Sequence, residues 1–120
     1  MAESPLRDKS YAFALAIVRQ VRTLRRQSQE YELFSQLLRS ATSVGANVEE
    51  ANAGQSRRDF VAKLAIARKD ANEARYWLRI LRDAEVMEAV VVSRLIEDCE
   101  ELIRMLTASV KTAQQTNTST

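Results

Sequence analysis

The chain has 120 residues, one Pro, two Gly, no His and a formal charge of +2. This length supports one domain with a single core, and the scarcity of Pro and Gly favours helices. The absence of His excludes Ser-His-Asp and Cys-His catalysis and the Glu-x-x-His pairs of di-iron bundles. The mild basicity alone predicts no partner.

The first helix is predicted over about residues 8–27, with a start anywhere between Pro5 and Ser10. Its buried stripe is predicted to contain Ala14, Ile17, Val21 and Leu24, flanked by Tyr11, Leu15 and Val18. The apolar run 11–18 is too short to span a membrane. It continues into Arg19-Gln20 with its helical period intact, which is not typical of a signal peptide, so we expect a cytoplasmic protein.

The second helix is predicted over about residues 31–53 and is followed by Gly54, which predicts its C-terminal stop. The polar string 27–29 predicts the first turn. Ser56 and Asp59 have the S-x-x-D spacing that opens a helix, so the third helix is predicted over 56–83. The predicted buried side of the second helix contains Tyr31, Phe34, Leu37, Leu38, Ala41, Val44, Val48 and Ala51.

The third helix carries an unbroken heptad seam, typical of a helix packed along its length in a left-handed bundle. The seam can be extended through Glu85 and Glu88, which leaves one very long helix as an alternative. Two seam carboxylates would be costly to bury, so a turn is predicted over about 83–87. A fourth helix is then predicted over 88–111, which closes a single domain of residues 1–111, and 112–120 is predicted to be a disordered polar tail. The seam residues are Phe60, Leu64, Ala67, Ala71, Ala74, Leu78 and Leu81.

Short connections between four helices predict an antiparallel up-down-up-down four-helix bundle. The net charge alternates along the chain: +4 for residues 1–29, −3 for 30–54, +4 for 55–83 and −3 for 84–120. Each basic helix would therefore lie between two acidic helices. Two interpretations remain open: the charges only complement neighbouring helices, or the basic helices bind phosphates.

The first helix provides the candidate nucleic-acid-binding residues. Arg19, Arg22, Arg25 and Arg26 have spacings of three and four, which place them on one side of the helix, and no acidic residue interrupts 19–29. A solvated arginine face near a helix C-terminus is the structural alternative, because the helix dipole favours cations there. The basic residues of the third helix are interleaved with acidic ones, so their phosphate-binding signal is weaker.

The middle of the second helix predicts a packing surface. Gly45 and Asn47 are poor helix formers, and their presence in mid-helix indicates a specific requirement. Gly45 could allow a neighbouring backbone to approach, and Asn47 could hydrogen-bond across an interface. That interface lies either between the second and third helices of one subunit or between subunits. The candidate residues are Gly45, Asn47, Glu49, Glu50, Arg68, Lys69, Glu73, Arg75 and Trp77.

No catalytic, cofactor-binding or metal-binding pattern is present, so the sequence predicts a protein that is not an enzyme. The glycines form no phosphate-cradling loop, and adjacent carboxylates such as Glu49 and Glu50 diverge around a helix. Cys99 lies at an apolar seam position, where a buried small hydrophobe is expected. A lone cysteine cannot form an internal disulfide, which fits a reducing compartment.

The second and third helices resemble those of the small bacterial four-helix-bundle proteins that include the protein encoded by intervening sequences in 23S rRNA genes. The resemblance covers roughly residues 8–108, although Ala51 stands where many members have glycine. It is carried by Gln36-Leu37-Leu38-Arg39-Ser40, by TSVGANVEEA at 42–51, and by Asp59-Phe60, Lys63-Leu64, Ile66-Ala67, Lys69, Glu73 and Tyr76-Trp77-Leu78-Arg79.

The resemblance implies a ring-like homo-oligomer, most simply a pentamer. It also implies kinship with the accessory variability protein of diversity-generating retroelements, which binds nucleic acid and reverse transcriptase. Two hypotheses follow: a nucleic-acid-binding accessory protein that binds RNA or DNA, or an oligomeric scaffold that binds only protein, such as a reverse transcriptase. An exposed arginine face favours the first hypothesis, and its burial against acidic helices favours the second. Neither hypothesis requires a membrane or a small-molecule substrate.

Overall fold

The computed structural model describes residues 4–54 and 56–118, with side chains in the last helix described as far as residue 115. Four helices follow one another along the chain: α1 (Pro5–Gln27), α2 (Tyr31–Asn52), α3 (Arg57–Asp83) and α4 (Ala89–Thr118). Each packs against its neighbours in sequence, and α1 also packs against α4. The described residues form an all-helical bundle with extents of 53 × 23 × 21 Å, which confirms the predicted fold class.

Helix starts follow local capping chemistry. Ser4 is the N-cap of α1, where its Oγ accepts a hydrogen bond from the backbone N–H of Arg7 at 3.2 Å, and Pro5 occupies the first turn. Helix α1 therefore begins at Pro5, the earliest start within the predicted range. Ser56 caps α3 in the same way, accepting from the Asp59 N–H at 3.0 Å.

The turn after α3 contains a non-glycine residue, Glu85, in the left-handed conformation. Helix α3 ends at Asp83, and Glu85 has a φ of 59°. The Val86 N–H then donates to the Leu81 carbonyl oxygen at 2.9 Å, the long bond of a Schellman motif. The structure thus breaks the continuous seam at the predicted turn, and both Glu85 and Glu88 remain exposed.

Gly54 has a different role from the one predicted. It lies two residues beyond the end of α2, and no described glycine has a positive φ. A Cβ at Gly54 would instead come within 2.7 Å of Asp59 Oδ2 and 3.1 Å of the Ala51 carbonyl oxygen. Gly54 therefore forms no left-handed cap, and a Cβ there would displace the Asp59 carboxylate and fit tightly against the Ala51 carbonyl oxygen.

The core is one apolar cluster that runs the length of the bundle. All the seam residues of α3 from Leu64 to Leu81 are buried, while Phe60 is half-buried at the end of the seam. On α4 the buried stripe includes Cys99 and continues to Ala113. Helix α4 continues to Thr118, beyond the predicted helix end at residue 111, and Ala113 continues its apolar stripe. Residues 119 and 120 of the predicted tail lie outside the described residues.

Four residues predicted on the buried sides of α1 and α2 do not belong to the core. On α1 the core contains Phe13 in place of Ala14, and Tyr11 and Leu15 point outward, with Tyr11 65% exposed. At the start of α2, Tyr31 is 52% exposed instead of buried. Residues 11–18 are apolar at every position, so the hydrophobic period alone does not predict which of them face the core. In the packed bundle the larger Phe13 is buried.

Candidate nucleic-acid interface and inter-helix network

The arginine ridge, defined as Arg19, Arg22, Arg25 and Arg26, occupies the last two turns of α1. All four residues are exposed. Among the described side chains, no carboxylate oxygen lies within 4 Å of their guanidinium nitrogens. Arg25 Nη2 donates to the neutral Ser35 Oγ at 3.3 Å. Within one subunit the ridge is therefore not buried against the acidic helices, and its charge is not neutralised by direct ion pairs.

The ridge occupies the side of α1 that faces away from the core. Val21 and Leu24, which alternate with the arginines, are buried. Arg25 and Arg26 lie in the last helical turn, where the partial negative charge of the helix C-terminus stabilises cations. The helix dipole therefore stabilises the positive charge of Arg25 and Arg26. Because the ridge faces solvent, its guanidinium groups are accessible to a ligand.

A groove separates α1 from the first half of α4. Its volume is about 840 Å³, and its walls include Ala16 and Arg19 on α1 and Val91, Arg94 and Leu95 on α4. Arg19 therefore belongs both to the arginine ridge and to this α1–α4 groove.

The predicted packing surface on α2 forms contacts within the subunit. Ser43 Oγ donates to Asp70 Oδ2 at 2.6 Å, and Asn47 Nδ2 lies 3.4 Å from the same oxygen. Asn47 Nδ2 also donates to the Ser43 carbonyl oxygen at 3.0 Å. These half-buried groups satisfy one another across the α2–α3 interface.

The two glutamates of this surface point to opposite neighbours. Glu49 Oε1 lies 2.9 Å from Arg7 Nε on α1, and Glu50 Oε1 lies 3.1 Å from Lys63 Nζ on α3. The hydrogen bond to Glu50 raises the pKa of Lys63. Both pairs are accessible to solvent, so they contribute little to stability.

Glu73 links a half-buried indole to α2. Trp77 Nε1 donates to Glu73 Oε2 at 3.1 Å, and Arg39 Nη2 lies 3.6 Å from the same oxygen. Tyr76 packs edge-on against Trp77, with ring centroids 5.1 Å apart. The indole therefore has its polar group satisfied within the subunit and packs against the core cluster.

The remaining candidates on α3 do not reach Asn47 in this structure. Arg75 Nη2 donates to Asn72 Oδ1 at 3.3 Å, and Arg75 Nη1 lies 3.9 Å from Glu100 Oε2 on α4. Arg68 is half-buried and Lys69 is exposed, and neither side chain forms an ion pair with a described residue. These three residues therefore do not belong to the Ser43–Asn47–Asp70 network.

Gly45 faces α1 instead of α3. A Cβ at this position would lie 3.6 Å from the Ser10 carbonyl oxygen and 3.9 Å from Ala14 Cβ, which are ordinary contacts. Gly45 is thus at a helix crossing, but the crossing leaves room for an alanine.

Sequence reasoning missed Asp70, the acceptor at the centre of the α2–α3 network. A signal was present: Ser43 and Asn47 are four residues apart and share one face of α2. Asp70 directly precedes the buried Ala71, so it lies at the edge of the α3 seam. The predicted partners of Asn47 were the charged residues near Asp70 on α3. The observed network instead joins the Asp70 carboxylate to neutral donors.

Cys99 is fully buried, and its thiol donates to the Ala71 carbonyl oxygen at 3.2 Å. Burial raises the pKa of this thiol to about 12. The thiol is the unreactive protonated form at neutral pH, since the thiolate is the nucleophile.

No helix in the described part of the chain is long and apolar enough to cross a membrane. Within residues 4–54 and 56–118, no cluster of three or more His, Cys, Asp or Glu side chains could hold a metal ion.

These features define a small antiparallel four-helix bundle with one exposed arginine ridge and a neutral-donor network between α2 and α3. The family model of the 23S rRNA-intervening sequence protein matches residues 3–108, and the chain belongs to this family. A similar solved structure is that of a protein with unknown function from the S23 ribosomal protein family of Bacteroides thetaiotaomicron. It has 40% sequence identity and a TM-score of 0.86, covering 88% of this chain and 98% of that one. No curated protein matches the chain.

Proposed function

We propose that the protein is a non-enzymatic, nucleic-acid-binding accessory protein whose arginine ridge contacts phosphates of RNA or DNA. The observation that supports this function best is the exposure of four arginines with no carboxylate of the described residues within 4 Å. Guanidinium groups match phosphate oxygens in geometry as well as in charge. A free ridge can release counterions from a phosphate backbone when it binds.

A closed homo-oligomer, most simply a pentamer, is part of this proposal. One ridge of four arginines gives a weak phosphate site, whereas a ring repeats it in every subunit and binds a long polyanion with avidity. Light scattering over micromolar protein concentrations would measure the mass. A monomer mass throughout that range would contradict the oligomer.

The triple variant Arg22→Gln/Arg25→Gln/Arg26→Gln tests the ridge. We expect weaker binding to structured RNA and duplex DNA across sequences, because phosphate contacts carry no sequence information. The dependence of log K on log salt should flatten by up to about 2.7 on duplex DNA if all three arginines of one subunit contact phosphates. Fluorescence anisotropy at low and moderate salt measures both quantities.

A matched control removes the same charge elsewhere. Arg57, Arg58 and Arg104 are exposed and form no ion pair with a described carboxylate. The triple Gln variant at these positions should bind much more tightly than the ridge variant. Equal losses would show that only total charge matters, and no binding by the wild type at low salt would refute the function.

A protein-binding scaffold is the second candidate, and a different observation favours it. Tyr76 and Ile66 on α3 are 52% and 44% exposed, and exposed aromatic and aliphatic groups are typical of protein contacts. A reverse transcriptase or another protein would then be the partner. Undiminished partner binding by the ridge variant, together with absent nucleic-acid binding, would favour the scaffold.

A further inference from the structure

The α1–α4 groove is large and has an apolar floor. The interface between α1 and α4 is the least extensive of the four in the bundle, and the gap of about 840 Å³ lies within it. This volume is within the range of about 300–1,000 Å³ that is typical of sites for small organic groups. Ala16, Val91 and Leu95 contribute apolar walls, and Val90 at the edge is 77% exposed.

The charged residues that line the groove follow one another along it, from Arg19 through Arg94 to Glu97 and Asp98. Lys9 Nζ lies 2.7 Å from Glu101 Oε1, and the two helices run antiparallel, so Arg94 is level with Ala16. Arg19 therefore lies towards the end of the groove next to the arginine ridge, and Arg94 lies near the middle of the groove. No carboxylate of the described residues lies within 4 Å of either guanidinium group.

Glu97 and Asp98 line the part of the groove farther from the ridge, and they follow Arg94 by three and four residues, one helical turn along α4. Asp98 is close enough to Lys9 to help raise the pKa of that lysine, although the hydrogen bond to Glu101 has the largest effect. The acidic part is thus partly balanced by Lys9. A phosphate would be repelled from this part, but a neutral group with N–H donors would find acceptors there.

We propose that the groove binds an unstacked base of single-stranded nucleic acid, with the flanking phosphates on Arg19 and Arg94. This inference rests on the proposed function and adds Arg94 to its binding residues. The apolar walls cover the base, and a guanidinium plane can stack on it. A paired and stacked duplex cannot insert a base, so duplex DNA reaches only the arginine ridge.

The acidic part gives the groove a base preference. Carboxylates accept hydrogen bonds from the exocyclic amino groups of cytosine and adenine, which uracil and thymine lack. We therefore expect tighter binding of oligo(C) and oligo(A) than of oligo(U). RNA and DNA strands of equal sequence should both bind, and their ratio measures any contribution of the 2′-hydroxyl.

The substitution Ala16→Phe tests the groove by filling it. Fluorescence anisotropy of the full-length protein with a 12-nucleotide single strand and with the matching blunt duplex measures its effect. We expect the affinity for the single strand to fall about tenfold, the effect of losing roughly one well-formed contact, while duplex binding is unchanged. Ala46→Phe, at an exposed alanine on α2, is the matched control and should change neither.

A second pair of variants avoids the risk that a large side chain disturbs the core. Arg94→Gln should lower single-strand affinity about tenfold and flatten the salt slope by about 0.7, as for one lost phosphate contact. Arg104→Gln, the same change farther along α4, is the control and should have a smaller effect. Val90→Glu, at the exposed edge, should weaken single-strand binding more than duplex binding.

Different outcomes separate this inference from the proposed function. The groove proposal would be refuted if Ala16→Phe and Arg94→Gln bind single strands as tightly as the wild type while the ridge variant has lost affinity. The ridge proposal would then still stand. A change of oligomer mass in Ala16→Phe would show that the groove is a contact between subunits, and this result would also refute base binding there. Absence of all binding by the wild type would refute both.

Discussion

The buried thiol of Cys99 makes the stability of this protein depend on pH in a calculable way. The thiol is fully buried against α3, and burial raises its pKa from 9.0 to about 12. Replacing Cys99 by Ala removes one large atom and a hydrogen bond to the Ala71 carbonyl oxygen. At pH 8, where the thiol is protonated in both states, we expect a cost of about 1 kcal/mol, similar to the loss of one buried methyl group.

Above pH 9 the wild type loses stability through this thiol. The unfolded chain releases the proton near pH 9, whereas the folded chain retains it until about pH 12, so the folded state binds more protons in that window. The free energy of unfolding then falls by about 1.4 kcal/mol per pH unit. Cys99→Ala lacks the group and is not subject to this loss. The wild type and the variant should therefore become about equally stable near pH 10.

Urea unfolding of both proteins at pH 8, 9 and 10 tests this reasoning. All samples need the same protein concentration, because assembly would couple stability to concentration. The other titrating groups are shared, so they cancel in the difference between the two proteins. A gap in unfolding free energy that stays constant from pH 8 to pH 10 would refute the claim that burial holds the proton on Cys99.

Two further predictions concern α2 and its neighbours. Gly45→Ala should raise the free energy of unfolding by up to about 1 kcal/mol, since alanine favours the helix and its Cβ would make only ordinary contact with the Ser10 carbonyl oxygen. A lower thermal midpoint of the variant would show that the packing around residue 45 requires the absence of a Cβ. Asp70→Ala should cost about 1–2 kcal/mol, because Ser43 Oγ and Asn47 Nδ2 lose their shared acceptor. Additive losses in a double-mutant cycle with Ser43→Ala would contradict that coupling.

The α3 seam shows what the sequence predicts well. From Leu64 to Leu81 every predicted seam residue is buried, since spacings of three and four leave only one apolar face. The Ser56 cap and the break after Asp83 were also predictable, because capping and the cost of burying carboxylates are properties of a few adjacent residues.

The site was less predictable than the helices. The positions of the arginine ridge on the outer side of α1 follow from its spacing, but Arg94 gave no signal, because it comes 75 residues after Arg19 in the sequence. Only the antiparallel packing of α4 on α1 brings both to one groove. The partner of Asn47 was missed for the same reason, since Asp70 meets it only through the register of α2 on α3.

The sequence by itself determined the four helices, most of their ends and the buried face of α3, because hydrogen bonding and side-chain spacing within a helix are local. Tertiary structure decided which apolar residues of α1 enter the core, how far α4 extends, and which polar groups meet across α2 and α3. Residues 11–18 are apolar throughout and offer several equivalent faces to the core. The space between α1 and its two neighbouring helices, α2 and α4, is filled by Phe13 and not by Ala14, and that space does not exist until the helices pack.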